Sequence, residues 1–349
     1  MISAFFKATH VMFLMSYFAV AVWTGCSQVQ FQEAPKAACN GFDKACSTET
    51  INNREYNVFD YTQTVPHPQV DILFVDDNSR SMVVEQERMG ERFPNFLTSL
   101  GTLDWRIAIT TTDIYAEGGN LLDFGSGLRI LTPSTPDKEA LFRNTIRRSE
   151  IGNGDERGIY AANLVVDRRA QNQFFRGDAH FAVVILSDED ERSNGGAASS
   201  YPLENYDLPQ NFKDHVAAKL GASKTLSVHA IIIRPGDQAC LTLQNDQTNR
   251  GYYGQTYAQL TQLTNGVLGD ICATDYGAQL TSIGNQIVRS ISSIKLACVP
   301  ARGPGLDPII TVNPPGNPAT QGTIRDDQVY FDPPLAPGTQ VRIQYKCLK

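Results

Sequence analysis

Residues 70–82 read Val70-Asp71-Ile72-Leu73-Phe74-Val75-Asp76-Asp77-Asn78-Ser79-Arg80-Ser81-Met82. A mostly apolar run that breaks abruptly into carboxylates and hydroxyls has the pattern of a central strand covered on both faces. Downstream, Met82, Met89, Phe93, Phe96, Leu97 and Leu100 recur at spacings of three, four and seven, which predicts a helix with a kink at Pro94. Trp105–Thr112 reads as a second strand, His180–Leu186 as the clearest buried strand, and Leu226–Ile233 as another. Gly125–Leu131 and Gly266–Ile271 are candidates for short neighbouring strands. Helical stretches are expected near 138–148, 159–169, 212–220 and 257–263. Leu280, Ile283, Ile287, Ile291 and Ile294 give a last amphipathic helix. Strands alternating with helices predict an α/β fold with a doubly wound, mostly parallel sheet. In such a sheet, ligands sit beyond the carboxyl ends of the central strands.

The chain of 349 residues is 42% apolar and 19% charged, enough for a sizeable core, which excludes a wholly disordered protein. Thirty Lys and Arg against 37 Asp and Glu give a net charge of -7. With no long basic block, nucleic acid is not an expected partner. The flanks differ from the middle. Val11–Trp23 is an apolar run too short for a bilayer core of ~30 Å but suited to the core of a secretory leader, so residues 1–25 read as a signal peptide. Residues 26–68 are polar and end in a Pro-bearing stretch, as a tether would. Residues 69–296 carry the strand–helix alternation. Residues 297–349 are rich in Pro and Gly, show only short β-like runs at 309–312, 329–331 and 340–345, and are expected to form a small β unit.

Seven cysteines are an odd number, and there is no C-x-x-C or histidine cluster to suggest zinc. An oxidising compartment fits better. Thr24-Gly25-Cys26 at the end of the leader resembles the lipobox of bacterial lipoproteins, which implies cleavage before Cys26 and a diacylglycerol on its thiol. By the same resemblance, Ser27 in place of Asp favours the outer membrane. Six cysteines remain, and pairing nearest neighbours gives Cys39–Cys46, Cys240–Cys272 and Cys298–Cys347, one of many schemes that six allow.

Two apolar strands end in acidic clusters: Asp76-Asp77-Asn78-Ser79-Arg80-Ser81 and Ser187-Asp188-Glu189-Asp190-Glu191. If both strands are central and parallel, these carboxylates meet at one sheet edge. Like charges repel there, and a bound cation resolves the repulsion. Hard oxygen donors suit Mg²⁺, with Mn²⁺ or Ca²⁺ as alternatives, rather than zinc. The competing explanation is an acidic rim that merely caps helix N-termini.

DILFVDDNSRSM resembles the opening of a von Willebrand factor A (vWA) domain, a Rossmann-like fold. The metal-ion-dependent adhesion site (MIDAS) of that family carries Asp-x-Ser-x-Ser. The register gives Asp77, Ser79 and Ser81, and VVILSDEDERS is similar to the later strand whose Asp falls on Asp188. The resemblance covers about residues 68–296. Together with TTTD at the second strand end, the late GDIC stretch and a small β tail, the chain is similar to secreted bacterial lipoproteins of this type. It implies serines that bind the metal directly, two aspartates acting largely through water, and a ligand carboxylate that completes the shell. The family's third loop usually supplies a Thr. Here that loop reads SEIGNGDERG, so the candidate substitutes are Asn153, Asp155 or Glu156, or else Thr111 and Asp113 leaning in from the second strand. Arg80 stands where the family has Gly, and with Glu189 it belongs to the expected ligand rim.

These readings together describe a lipid-anchored, outer-membrane binding module that captures a protein or acidic ligand through a divalent cation. It is not an enzyme: there is no Gly-x-Ser-x-Gly elbow, Ser292-Ser293-Ile294-Lys295 lies at the end of an amphipathic helix, and the five histidines show no ligand spacing. The alternatives are a metal-assisted hydrolase, and a structural envelope-assembly part with a degenerate metal site.

Overall fold

The computed structural model describes residues 46–65, 68–147, 152, 154–193, 202–222, 224–247, 251–291, 293–313, 321–332, 335 and 338–349. The leader, Cys26 and the Cys39–Cys46 pairing lie outside them. The stretch read as a tether departs from that expectation from Cys46 onward. It forms β1 (Cys46–Ile51) and β2 (Arg54–Thr64), paired in a hairpin. The two turn residues, Asn52 and Asn53, both hold positive φ (49° and 60°). That backbone twist matches the twist of the flanking strands, and Asn tolerates it well.

The decisive run becomes β3 (Gln69–Asp76), followed by α1 (Val83–Leu100), which continues unbroken through Pro94. Then come β4 (Asp104–Thr111), α2 (Lys138–Ile146), α3 (Gly158–Asp167), α4 (Arg169–Asn172) and β5 (His180–Ser187). The series ends with α5 (Pro209–Leu220), β6 (Leu226–Ile232), α6 (Gln238–Gln247), α7 (Gln255–Leu263), β7 (Leu268–Asp270) and α8 (Tyr276–Ile291). Gly125–Leu131 is not a strand; it meets β4 only through a single bridge, Ile107 to Leu131. Among the described residues, no helix is long and apolar enough to cross a membrane.

The five strands form one parallel sheet in the order β4-β3-β5-β6-β7. The chain winds outward from β3 to β4, then returns to β5 on the other side of β3. That reversal places the switch point between β3 and β5, where a crevice opens beyond the strand ends. Alternation along β3 explains the two faces. Ile72 and Phe74 pack with α1, α2 and α8, while Leu73 and Val75 pack with α3, α5 and α7. Phe74 meets Phe96 at 5.5 Å and Phe142 at 4.9 Å, both edge-on. Burying each such side chain contributes about 1.5–3 kcal/mol.

The remaining strands are β8 (Ile294–Lys295), β9 (Ile309–Asn313), β10 (Gln321–Arg325), β11 (Gln328–Asp332) and β12 (Gln340–Leu348). They build two antiparallel sheets, β1-β2-β12-β9 and β10-β11-β8. The small β unit is therefore not made from the last fifty residues alone: β2 pairs with β12 along nearly its whole length, from Tyr56–Leu348 to Thr64–Gln340. Phe59 stacks on Tyr345 at 4.8 Å, with Val341, Ile343 and Val329 buried around them. The sheet domain of 69–291 is inserted between the two ends of this unit. Two of the expected cystines are formed, Cys240–Cys272 and Cys298–Cys347.

Candidate metal centre at the switch point

Asp77 follows β3 and Asp188 follows β5, and the parallel register sets Asp76 beside Leu186. The peptide N–H of Asp77 donates to the Leu186 carbonyl at 3.0 Å, extending the ladder by one rung. The two aspartates are thus neighbours, as the two acidic strand ends required. Asp77 is fully buried. Its Oδ1 accepts the Ser79 N–H (2.9 Å) and its Oδ2 accepts the Ser187 hydroxyl (2.6 Å). Ser79 and Ser81 face each other, Oγ to Oγ, at 2.8 Å, and Ser81 Oγ donates to Asp188 Oδ1 at 3.2 Å. Asp77, Ser79, Ser81 and Asp188 form one connected group. From α1, Gln86 steadies the strand end by donating to Asp76 Oδ2 (2.9 Å) and to the Asp77 carbonyl (3.0 Å).

Three further carboxylates interact with the group through their charge: Glu156 from the loop ahead of α3, Glu189 beside Asp188, and Glu85 in the first turn of α1. Burial, together with the charge of Asp77, pushes Asp188 and Glu189 up to about 8. Burial likewise raises Asp77, Glu85 and Glu156, and for Glu156 the charges of Asp77, Glu189 and Asp113 add to it. Buried oxygens without hydrogen-bond partners occur on Glu156 (Oε1), Glu189 (Oε2) and Glu85 (Oε2). Leaving such atoms bare costs about 1–3 kcal/mol each, more for charged groups. A hard divalent cation among serine and carboxylate oxygens would offset that cost, so the donor set fits Mg²⁺, Mn²⁺ or Ca²⁺.

Elsewhere among the described residues, three ligand atoms of the His, Cys, Asp and Glu type lie within 4.8 Å of one another at Cys240, Asp270 and Cys272. The two sulfurs there are bonded to each other, which removes a thiolate site. The strand-end carboxylates are spread more widely, with serine hydroxyls between them.

Other expected rim residues have different work. Asp155 is neutralised by Arg192, at 3.1 and 3.2 Å, and so is turned to structure. Glu204 accepts from Arg192 (2.7 Å) and Arg157 (3.0 Å), and Arg157 is further held by Asp207. Arg192, held by these contacts, and the following Ser193 both stand at positive φ (63° and 54°), a region that non-glycine residues occupy at a cost of about 1–3 kcal/mol. Asp113 spends Oδ1 on the N–H groups of Tyr115 and Ala116. Asp190 caps α7 through Thr256, and Glu191 caps α3 through Ile159 and Tyr160. The capping explanation therefore holds for those two acids and not for Asp77 or Asp188. Strand alternation sets Thr111 on the face opposite Thr112, and it is the Thr112 hydroxyl that reaches Glu156. Arg80 is exposed at the mouth, and Asn153 lies outside the described residues. Thr112, Ser187, Glu85 and Gln86 are contributors that sequence spacing did not single out; their common signal is adjacency to the two strand ends.

No family model matches the chain, and no curated protein matches it. Solved structures similar to it include the pilus adhesin SpaC from Lactobacillus rhamnosus GG, at 13% identity and a TM-score of 0.39 over 86% of this chain and 44% of that one. The manganese-loaded TRAP protein of Plasmodium vivax matches at 15% identity and a TM-score of 0.32, over 58% of this chain and 74% of that one. The ArnB paralog VWA2 from Sulfolobus acidocaldarius matches at 9% identity and a TM-score of 0.30, over 87% and 65%. The chain spans less than half of the adhesin's own length.

Proposed function

We propose that this chain is a cell-envelope binding module of the vWA type, held by a lipid on Cys26 at the bacterial outer membrane. A divalent cation at the β3–β5 switch point captures a protein or other acidic ligand. One observation carries the reading: Asp77 and Asp188 are brought side by side, linked through Ser79 and Ser81, with no cationic side chain among the described residues paired to either. Serine hydroxyls would hold the ion and the two aspartates would act through water. The mouth is suited to contact, since Arg80, Val83, Val84 and Tyr115 are exposed around the ends of β3 and β4.

Capture of an envelope partner from extracts, with and without chelator, tests this. Partner recovery that depends on Mg²⁺ and is lost in Asp77→Ala is expected. Recovery indifferent to chelator and to Asp77→Ala would return the chain to a structural role, and phosphoester hydrolysis abolished by Asp77→Ala would make it an enzyme.

A further inference from the structure

We infer that Glu156 is a direct ligand of the cation, the third acidic arm of the site. This rests on the cation reading above. The loop that carries Glu156 is fastened to the end of each strand around the switch point. Gly152 N–H donates to the Asn78 carbonyl after β3 (3.3 Å), and Arg157 N–H donates to the Thr112 carbonyl after β4 (3.1 Å). Beyond β5, Glu156 N–H donates to Ser193 Oγ (2.8 Å), and its carbonyl accepts the Arg192 N–H (2.6 Å). The approach is close: a Cβ on Gly152 would stand 2.9 Å from Asn78 Oδ1 and 3.2 Å from the Asn78 carbonyl carbon. Glu156 is therefore placed by backbone on three sides rather than by a mobile side chain.

Its carboxylate has 0% exposure. One oxygen, Oε2, takes the Thr112 hydroxyl, while Oε1 is buried with no partner. The largest charge effects on Glu156 come from Asp77, Glu189 and Asp113, all negative. The two guanidiniums anchored beside this loop are committed elsewhere: Arg157 to Asp207 and Glu204, Arg192 to Asp155 and Glu204. Of the two acids in the loop, Asp155 has its cation and Glu156 does not. A buried carboxylate with one bare oxygen, aimed among like charges, needs a positive charge that the described side chains do not supply.

A charged arm changes what the ion can do. Asp77, Asp188 and Glu156 bring three negative charges against two positive, so the ion is held before any partner arrives. An arriving acid then gains less from the metal and more from Arg80 at the mouth. More carboxylate in the shell also favours Ca²⁺ and Mn²⁺ over a strongly hydrated Mg²⁺.

The test is Mn²⁺ binding to the full-length chain, followed by the loss of the free-ion paramagnetic resonance signal. Glu156→Gln should weaken Mn²⁺ binding thirtyfold or more, while the metal-free variant melts at or above wild type because a buried carboxyl among like-charged neighbours has gone. Thr112→Val, which only removes a hydroxyl that orients Glu156, should cost less than fivefold. Should Glu156→Gln fail to fold, Glu156→Asp keeps the charge but shortens the reach, and a tenfold loss or more is expected. Glu156→Gln, or folded Glu156→Asp, binding within threefold of wild type while Asp77→Asn abolishes binding would overturn the Glu156 assignment and leave the cation reading standing. Wild type that leaves millimolar Mn²⁺ free would overturn both.

Discussion

The Ser187 hydroxyl donates to Asp77 Oδ2 at 2.6 Å, joining the last residue of β5 to the first residue beyond β3. Ser187 is fully buried, and its oxygen also receives the Glu189 N–H at 3.0 Å. One hydroxyl therefore fixes both the orientation of Asp77 and the start of the second acidic loop. A cation site built on this bond depends on a residue that need not touch the ion.

Ser187→Ala should weaken Mg²⁺ binding about tenfold, ~1.4 kcal/mol, with the fold intact. Asp77→Ala should weaken it a hundredfold or more. Isothermal titration of the two variants checks the order; equal losses would mean that Ser187 is itself a ligand.

The pH dependence of the metal-free protein has a definite sign. Asp188 and Glu189 rise in the folded state from ordinary carboxylate values to about 8. Folding thus retains protons that the unfolded chain releases, and the associated stability, complete below about pH 4, is lost as pH rises toward 8. Between pH 6.5 and 8 in chelator, the melting temperature should fall. Added Mg²⁺ should flatten that slope and stabilise most at the alkaline end.

The buried histidines act in the opposite direction. His180 Nδ1 bonds Thr225, His180 Nε2 and His229 Nε2 share the Ser227 hydroxyl, and His229 Nδ1 accepts the Val267 N–H. Burial lowers both to about 3. The unfolded chain takes up protons first, so their contribution is whole above pH 6.5 and is lost as pH falls toward 3. Replacing both by Gln should make the acid-side loss of stability in urea shallower by at most about 1.4 kcal/mol per pH unit for each histidine.

Arg176 should matter as much as a core residue. Its backbone and side chain both donate to the fully buried Asp71, at 2.8 Å each, and it also reaches the carbonyls of Val70 and Asp104. Arg176→Ala strands a carboxylate inside the sheet and should cost about 3 kcal/mol in urea denaturation. Asp71→Asn in the same background should recover part of it.

The sheet and its acidic ends were legible because a strand covered on both faces must stay apolar and then break sharply, as at Asp76 and Ser187. The serines of the Asp-x-Ser-x-Ser stretch are placed by the resemblance of this stretch to the opening of a vWA domain. Other features turn on details that spacing cannot resolve. Whether Thr111 or Thr112 faces Glu156 is a matter of one residue in register. Which of Asp155 and Glu156 stays unpaired was decided by Arg192, thirty-odd positions along the chain. In Arg54–Thr64, aromatic and β-branched residues between polar ones looked like a leash because the strand that completes their pairing lies at the far end of the sequence. The Asn52-Asn53 pair was the local clue to a hairpin.

That last arrangement sets an order of events during synthesis. β2 is made early, yet its long neighbour β12 follows only after the inserted sheet domain, so the hairpin must wait with an open edge while everything between is produced. The inserted sheet domain can assemble in that interval, and closing β12 onto β2 comes after it. A truncation that removes only 340–349 would leave the centre built and the opening strands without their match.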